Sequence, residues 1–237
     1  MGTEPEVQQD ALLSLARKVG NDWLGSGYYD KAEGFISNQW KNLVWPLIMK
    51  ADFTDVLEIA SGHGRNTALL LPLCQSFVAS DINAENTDFL AHRFPEELSA
   101  GRLSIVLNNG IDLAGIADAS VSFIYSFDAM VHFDSDVVRA YIREAARVLK
   151  PGGTGFFHYS NVTADPSANY KRHPRWRNFM SQSLFNHWVI KEDMEVVHSV
   201  LAKWNVKVVA HDDGDTDALT YFRKPNFTAK ATHAQKT

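Results

Sequence analysis

A short apolar run that stops in a pair of glycines constrains this chain more than any other feature. Asp55-Val-Leu-Glu-Ile-Ala60 is β-branched and apolar apart from Asp55 and Glu58, and Ser61-Gly62-His63-Gly64 follows at once. A segment of that length ended by glycines predicts a buried strand running into a tight turn. The same alternation continues downstream. A helix is expected over 65–73, stopped near Pro72, then a strand over 77–81 and a helix over 84–93 ended by Pro95. Strands follow over 103–107 and 121–127. The most periodic helix spans 134–149, with Val137, Val138, Tyr141, Ile142, Ala145, Val148 and Leu149 on one face. Asp134 or Ser135 would cap it, and Lys150-Pro-Gly-Gly153 would stop it before a strand over 154–159.

Strands and helices alternating at this spacing predict an α/β fold built on a doubly wound parallel sheet. Further on, a helix over 191–203 and strands over 206–211 and 219–223 are expected. The turn between those strands, Asp212–Asp217, is short enough for a hairpin, so the last strand should run antiparallel. That gives seven strands, six parallel and one reversed. Residues 1–50 read as a helical N-terminal cap, with Trp40, Leu43, Val44, Leu47 and Ile48 on one face. Residues 51–225 form the main domain, with a lid inserted at about 161–190, and residues 226–237 form a polar tail.

Composition narrows the function classes without choosing one. With 45% apolar residues the chain can build a core, and a net charge of −5 gives no basic excess for tracking nucleic acid. One cysteine, Cys74, excludes a disulfide framework and a cysteine-based zinc site. The polar start is no signal peptide and no apolar stretch is long enough for a membrane span. A soluble, cytoplasmic protein is the expectation.

The glycine turn itself has two readings. It is either a tight strand–helix connection or a place where a ligand meets the backbone beyond the strand ends. Asp81 ends the second strand 23 residues after Glu58, where an acid can hold both ribose hydroxyls. Position 67 is threonine, so the pyrophosphate fingerprint G-x-G-x-x-G is not completed. Glu58 would repel phosphates and suit a cationic group. Ribose, no phosphate and a cationic end describe S-adenosylmethionine.

Five stretches then carry a family resemblance. They are Val56-Leu-Glu-Ile-Ala-Ser-Gly-His-Gly-Arg65, Ser80-Asp81, Asn108-Asn-Gly-Ile-Asp112, Ser126-Phe-Asp-Ala-Met-Val-His132 and Leu149-Lys-Pro-Gly-Gly153. In this order the set resembles the motifs of class I S-adenosylmethionine-dependent methyltransferases. The resemblance implies that Glu58 anchors the methionine amino group and that Ala60, Gly62 and Gly64 form the close-approach loop. It implies that Asp81 holds the ribose while Ile82 packs on the adenine. Asn109, Gly110 and Ile111 would meet the adenine edge, and Ser126 and Phe127 the methionine part. Ala60-Ser61 stands where glycine or cysteine is common in the family.

Methyl transfer to a hydroxyl or amine needs alignment and a base. His132, His158 and Asp128 are the candidate catalytic groups, each with a packing or capping role as the alternative. Tyr28 and Tyr29 would line the site by the same resemblance, and Tyr159 ends the fifth strand. Between Asp165 and Glu192 there is no acid, while Lys171, Arg172, Arg175, Arg177 and Lys191 are interleaved with aromatics including Trp176. Arg172, Arg175 and Trp176 in such a lid suit an anionic or sugar-like small molecule, a solvated loop being the alternative. The acidic run at 212–217 lacks the final glutamate of a calcium loop, and no metal is expected. The reading is methyl transfer to an O or N atom of a metabolite, sugar or natural-product intermediate. RNA or protein as acceptor, or a non-catalytic S-adenosylmethionine-binding module, are the alternatives. A homo-oligomer is left open.

Overall fold

The computed structural model describes residues 4–25, 27–161, 180–202 and 216–226. Seven strands form one sheet: β1 (Asp55–Ile59), β2 (Ser76–Asp81), β3 (Leu103–Leu107), β4 (Val121–Met130), β5 (Leu149–Asn161), β6 (Glu195–Ala202) and β7 (Thr216–Arg223). Their order is β3-β2-β1-β4-β5-β7-β6. Pairs β1–β2, β1–β4, β2–β3 and β4–β5 are parallel, and β7 runs antiparallel to both β5 and β6. Six strands therefore point one way and β7 the other. The strand order reverses direction between β1 and β4, which opens a crevice beyond their carboxyl ends.

Alternation along the strands sends side chains to two cores. Leu57, Ile59, Ile124, Phe157 and Tyr159 pack on one face, while Val56, Phe123, Tyr125 and Phe156 pack on the other. The first face is covered by α1 (Glu4–Trp23), α8 (Ser135–Val148) and α9 (Gln182–Lys191). The second is covered by the turns between Ile36 and Ile48, by α5 (Thr67–Leu70) and by α6 (Ala84–Arg93). Completing the order are α2 (Tyr28–Glu33), α3 (Ile36–Gln39), α4 (Trp45–Ile48) and α7 (Pro95–Ser99). Between α3 and α4 the backbone widens to a π-helical turn at Trp40–Val44, next to Pro46, which has no N–H to offer the preceding turn. Val44 and Ile48 are fully buried there, with Trp40, Leu43 and Leu47 packed around them.

The α8 helix shows how directly periodicity sets packing. Val137, Val138, Tyr141, Ile142, Ala145 and Val148 are all buried. Its N-cap is Asp134, whose side chain accepts from the Asp136 N–H at 3.0 Å.

Three expectations change. Leu149 opens β5 rather than closing α8, because it pairs with Val121 of β4 ahead of the glycines. The chain restarts a helix at Pro95, where proline is tolerated in a first turn. The helix expected over 191–203 is a strand: α9 ends at Lys191, and Glu195–Ala202 pairs with β7. Met194, Val197, Val200 and Leu201 fit a helical stripe, but three valines and a free sheet edge favour the strand. The strand expected over 206–211 lies outside the described residues.

Among the described residues, no helix is long and apolar enough to cross a membrane, and no cluster of side chains suits a metal ion.

Candidate functional site

The glycine turn leaves β1 at the crevice. Ala60, Gly62 and Gly64 all have positive φ, at 57°, 54° and 81°. Ala60 adopts the left-handed region without being glycine, a strain of roughly 1–2 kcal/mol. The Gly62 N–H donates to Asp81 Oδ2 at 2.9 Å. A Cβ on Gly62 would lie 2.8 Å from the Tyr29 ring, so the turn and α2 approach only because glycine stands there. A Cβ on Gly64 would instead meet Leu90 and Phe94 at 2.7 Å. Gly64 thus admits α6 to the turn.

Asp81 ends β2 at the crevice wall. Its Oδ1 accepts from the Asn83 N–H at 2.9 Å and from Asn86 Nδ2 at 3.0 Å. Burial pushes its pKa up, opposed by these bonds and by that from Gly62. Asn86 also donates to the Tyr29 hydroxyl at 3.1 Å, tying α2 to Asp81. The Tyr29 ring stacks on His63 at 3.9 Å, and His63 stacks on Phe89 at 4.0 Å. Burial of that imidazole lowers its pKa.

Two clefts open beside the turn. The larger, of about 760 Å³, is walled by Gly20 and Trp23 of α1, by Asp81, Ile82, Asn83 and Gly110, and by Ala129, His132 and Tyr141. The smaller, of about 380 Å³, is walled by Ser61, His63, Arg65 and Asn66 of the turn together with Glu33 and Phe127. Tyr28, Tyr29, Ala60, Gly62 and Asp128 wall both, so the clefts adjoin along these residues. The ring of His132 lies against Trp23 with centroids 4.4 Å apart.

Asp128 stands where β4 loses register with β5, in the left-handed region at φ 61°. Its Oδ2 accepts from the Tyr28 hydroxyl and pairs with the Arg65 guanidinium. Burial pushes the Asp128 pKa up, but Arg65, the His158 ring and those hydrogen bonds bring it below the usual carboxylate range. Burial works against the Arg65 charge too, yet Asp128 raises the Arg65 pKa overall. Burial and the Asp128 charge together raise that of Tyr28.

Of the residues singled out from the sequence, Tyr28, Tyr29, Ala60, Gly62, Asp81, Ile82, Gly110, Asp128 and His132 wall the larger cleft, and Phe127 walls the smaller one. Others lie elsewhere for definable reasons. Glu58 shares the parity of Val56, so it turns to the face under α5, where the Thr67 hydroxyl donates to its Oε2 at 2.5 Å. Gly64 serves packing, as above. Asn109 closes its own turn, its Oδ1 accepting from the N–H groups of Ile111 and Asp112, and Ile111 joins the core. Ser126 is buried with its hydroxyl on the Ile59 carbonyl.

His158 is buried in β5. Its Nδ1 accepts from the Asp128 N–H at 3.1 Å, its ring stacks on Phe127, and its Nε2 lies 3.3 Å from Asp217. It braces the Asp128 turn and does not wall either cleft. Tyr159 shares a 2.8 Å hydrogen bond with Thr220 and stacks on Phe185 at 4.0 Å, within the core. Arg172, Arg175 and Trp176 lie outside the described residues.

Sequence reasoning missed the α1 wall, Asn83, Asn86, Tyr141 and Arg65. The α1 residues had a signal, since Leu12, Ala16, Val19 and Trp23 fall on one helical face. Arg65 had none, because its value comes from Asp128, 63 residues away.

Comparison with known proteins gives one family match, one partial relative and several likenesses of fold. Residues 56–153 match the family model described as a methyltransferase domain. Chondramide synthase from Chondromyces crocatus is 28% identical over a 131-residue alignment that covers 50% of this chain and 3% of that protein. The chain therefore spans only a small fraction of that relative. Among solved structures, a Haloferax volcanii methyltransferase-fold protein complexed with the Trm112 activator gives a TM-score of 0.65 at 17% identity, covering 86% of this chain and 96% of the other. The N-methyltransferase NodS from Bradyrhizobium japonicum, in complex with S-adenosylhomocysteine, gives 0.58 at 16%, covering 90% and 98%. The [4+2]-cyclase SpnF gives 0.61 at 14%, covering 80% and 82%. At these identities the structural likeness is one of fold.

Proposed function

We propose, from the premise that this chain carries a class I S-adenosylmethionine-dependent methyltransferase domain, that it transfers a methyl group to an O or N atom of a small-molecule acceptor. One observation carries the reading: Asp81 and His132 wall the same cleft beyond the strand ends. The donor set suits the cofactor. Asp81 offers carboxylate oxygens to ribose hydroxyls, and Ile82, Ala16 and Val137 give an apolar slot for a base. S-adenosylmethionine supplies a methyl group already activated by its sulfonium charge, which leaves the protein alignment and proton removal.

His132 is the residue for the proton. An imidazole exchanges protons near neutrality, and this one is held against Trp23 at the cleft wall. Asp128 is the weaker candidate, since Arg65 and Tyr28 hold it as a poor base. Trp23 and Phe133 wall the same cleft, which favours a compact acceptor over a polymer. Arg172, Arg175 and Trp176 would add recognition of an anionic or sugar-like acceptor.

Replacing His132 by Ala should lower kcat by about 10²–10⁴-fold with S-adenosylhomocysteine affinity retained. Undiminished turnover removes His132 from the mechanism. The likeness to a cyclase supports a second reading, in which the domain binds the cofactor without methyl transfer. A mass-shift screen over metabolites, RNA and protein acceptors separates the readings: a methylated small molecule supports the first, and cofactor binding with no methylated product supports the second.

A further inference from the structure

At the end of β4 the sheet breaks step. Ser126 pairs with Phe157 and Met130 with Tyr159, so Phe127, Asp128 and Ala129 stand opposite His158 alone. A bulge of this kind re-aims side chains and takes backbone groups out of the ladder. Here the Asp128 N–H turns to a side chain instead, donating to His158 Nδ1 at 3.1 Å. We infer that His158, oriented by Asp217, is the positioning residue of this bulge, and that it fixes the 128–132 turn that carries His132 into the larger cleft.

The hydrogen bond sets the state of the ring. A backbone N–H only donates, so Nδ1 accepts and carries no proton. The imidazole proton therefore sits on Nε2, which lies 3.3 Å from Asp217 Oδ2. Period-two alternation brings that carboxylate there. Leu219 of β7 pairs with His158, and Asp217 shares the parity of Leu219. A carboxylate facing Nε2 favours the tautomer that leaves Nδ1 open to Asp128. The ring is fully buried and stacks on Phe127 with centroids 4.8 Å apart, so packing holds its plane as well.

The consequence lies beyond the bulge. Asp128 takes a left-handed φ of 61°, and such backbone at a residue other than glycine persists only where its surroundings hold it. The His158 acceptor is that hold. The turn continues with the His132 N–H donating to the Ala129 carbonyl at 3.1 Å and the Phe133 N–H to the Met130 carbonyl at 3.2 Å. The His132 ring then meets Trp23 at the cleft wall. The role of His132 as proton acceptor rests on the methyltransferase reading, but its placement does not.

Histidine NMR on the full chain reads both ends of this connection without a ligand. In the native protein, nitrogen-15 correlations should show His158 with Nε2 protonated and Nδ1 bare. The His132 ring protons should be displaced by the ring current of Trp23, each signal being assigned by its loss in His158→Asn or His132→Gln. His158→Phe keeps a ring beside Phe127 without the acceptor. It should abolish the His132 displacement and weaken S-adenosylhomocysteine binding by about tenfold, the equivalent of one hydrogen bond. His158→Asn puts an amide oxygen close to the Nδ1 position and should restore both, which the mere filling of space would not. Asp217→Ala should leave His158 in a mixture of its two tautomers. A protonated Nδ1 in the native protein overturns the inference. So does an unmoved His132 signal in His158→Phe, or His158→Asn behaving as His158→Phe does. A single unchanged tautomer in Asp217→Ala overturns the part given to Asp217. Should His158→Phe fail to fold, the native tautomer and the His132 signal in His158→Asn decide. Failure of S-adenosylhomocysteine to bind the native protein counts against the methyltransferase reading alone, because the NMR signatures need no ligand.

Discussion

Two carboxylates flank the glycine turn, and their environments drive them in opposite directions. Glu58 is 1% exposed, with the Thr67 hydroxyl as its side-chain donor, and burial pushes its pKa up to about 8. Asp128 is nearly as secluded, yet the Arg65 guanidinium and the Tyr28 hydroxyl hold its pKa below the ordinary value despite the upward push of burial. Burial alone does not set the charge of an acid; the partner that shares the burial does. The acid that the motif marks is thereby a largely protonated support, and the one that the motif leaves unexplained is the charged wall of both clefts.

Removing the partner should produce the largest effect. Arg65→Met leaves a secluded Asp128 uncompensated and is expected to lower unfolding free energy by about 3–5 kcal/mol at pH 7, read by denaturant titration. A loss below about 1 kcal/mol would mean that Asp128 is not held as an ion. The pH dependence comes next, and the two acids should act in opposite senses. Glu58 has a folded pKa near 8 against an ordinary 4.5, so its folded form keeps a proton that the unfolded chain gives up. Its contribution therefore falls as pH rises from 4.5 to 8, with a slope of about 1.4 kcal/mol per unit. Glu58→Gln should flatten that limb, and an unchanged slope in paired melting curves would place the titration elsewhere. Asp128, depressed below 3.8, contributes above that value, and its share is lost as pH falls through its folded pKa. Asp128→Asn should leave the neutral limb alone and reshape only the acid one.

Smaller changes sharpen the same contrast. Tyr28→Phe removes a hydrogen bond to a charged group and should lower stability by about 1.5 kcal/mol, with the Asp128 acid limb moving to higher pH. Thr67→Val is expected to lower stability by about 1 kcal/mol and to push the Glu58 titration further up. If Thr67→Val shifted the acid limb instead, the assignment of the two limbs would have to be exchanged.

Much of the fold was legible because it depends on local pattern. The short strand β1 and the stripe on α8 each follow from periodicity, and the last strand does run antiparallel as expected, but its edge partner is Glu195–Ala202 instead of a strand joined to it by a short turn. The helix expected over 191–203 failed where local pattern is ambiguous, since spacing by three and four fits Val197, Val200 and Leu201 as well as strand pairing does. Among candidate site residues, Asp81, Gly62 and His132 could be placed at the crevice because strand ends in a doubly wound sheet point there. Glu58, Ser126 and Tyr159 could not, because which face a strand residue takes at the sheet's end depends on what covers each face.

By itself, then, the sequence determined the alternation of strands and helices, the reversed last strand and the crevice beside the glycine turn. The alternation and the crevice are consequences of hydrophobic period and glycine, read within a few residues. Tertiary structure alone decided that α1 and α2 wall the clefts, that Arg65 finds Asp128 across 63 residues, and that Glu58 faces α5. Pair formation and burial arise only when distant segments meet, and those two quantities drive the pKa values of Glu58 and Asp128 in opposite directions.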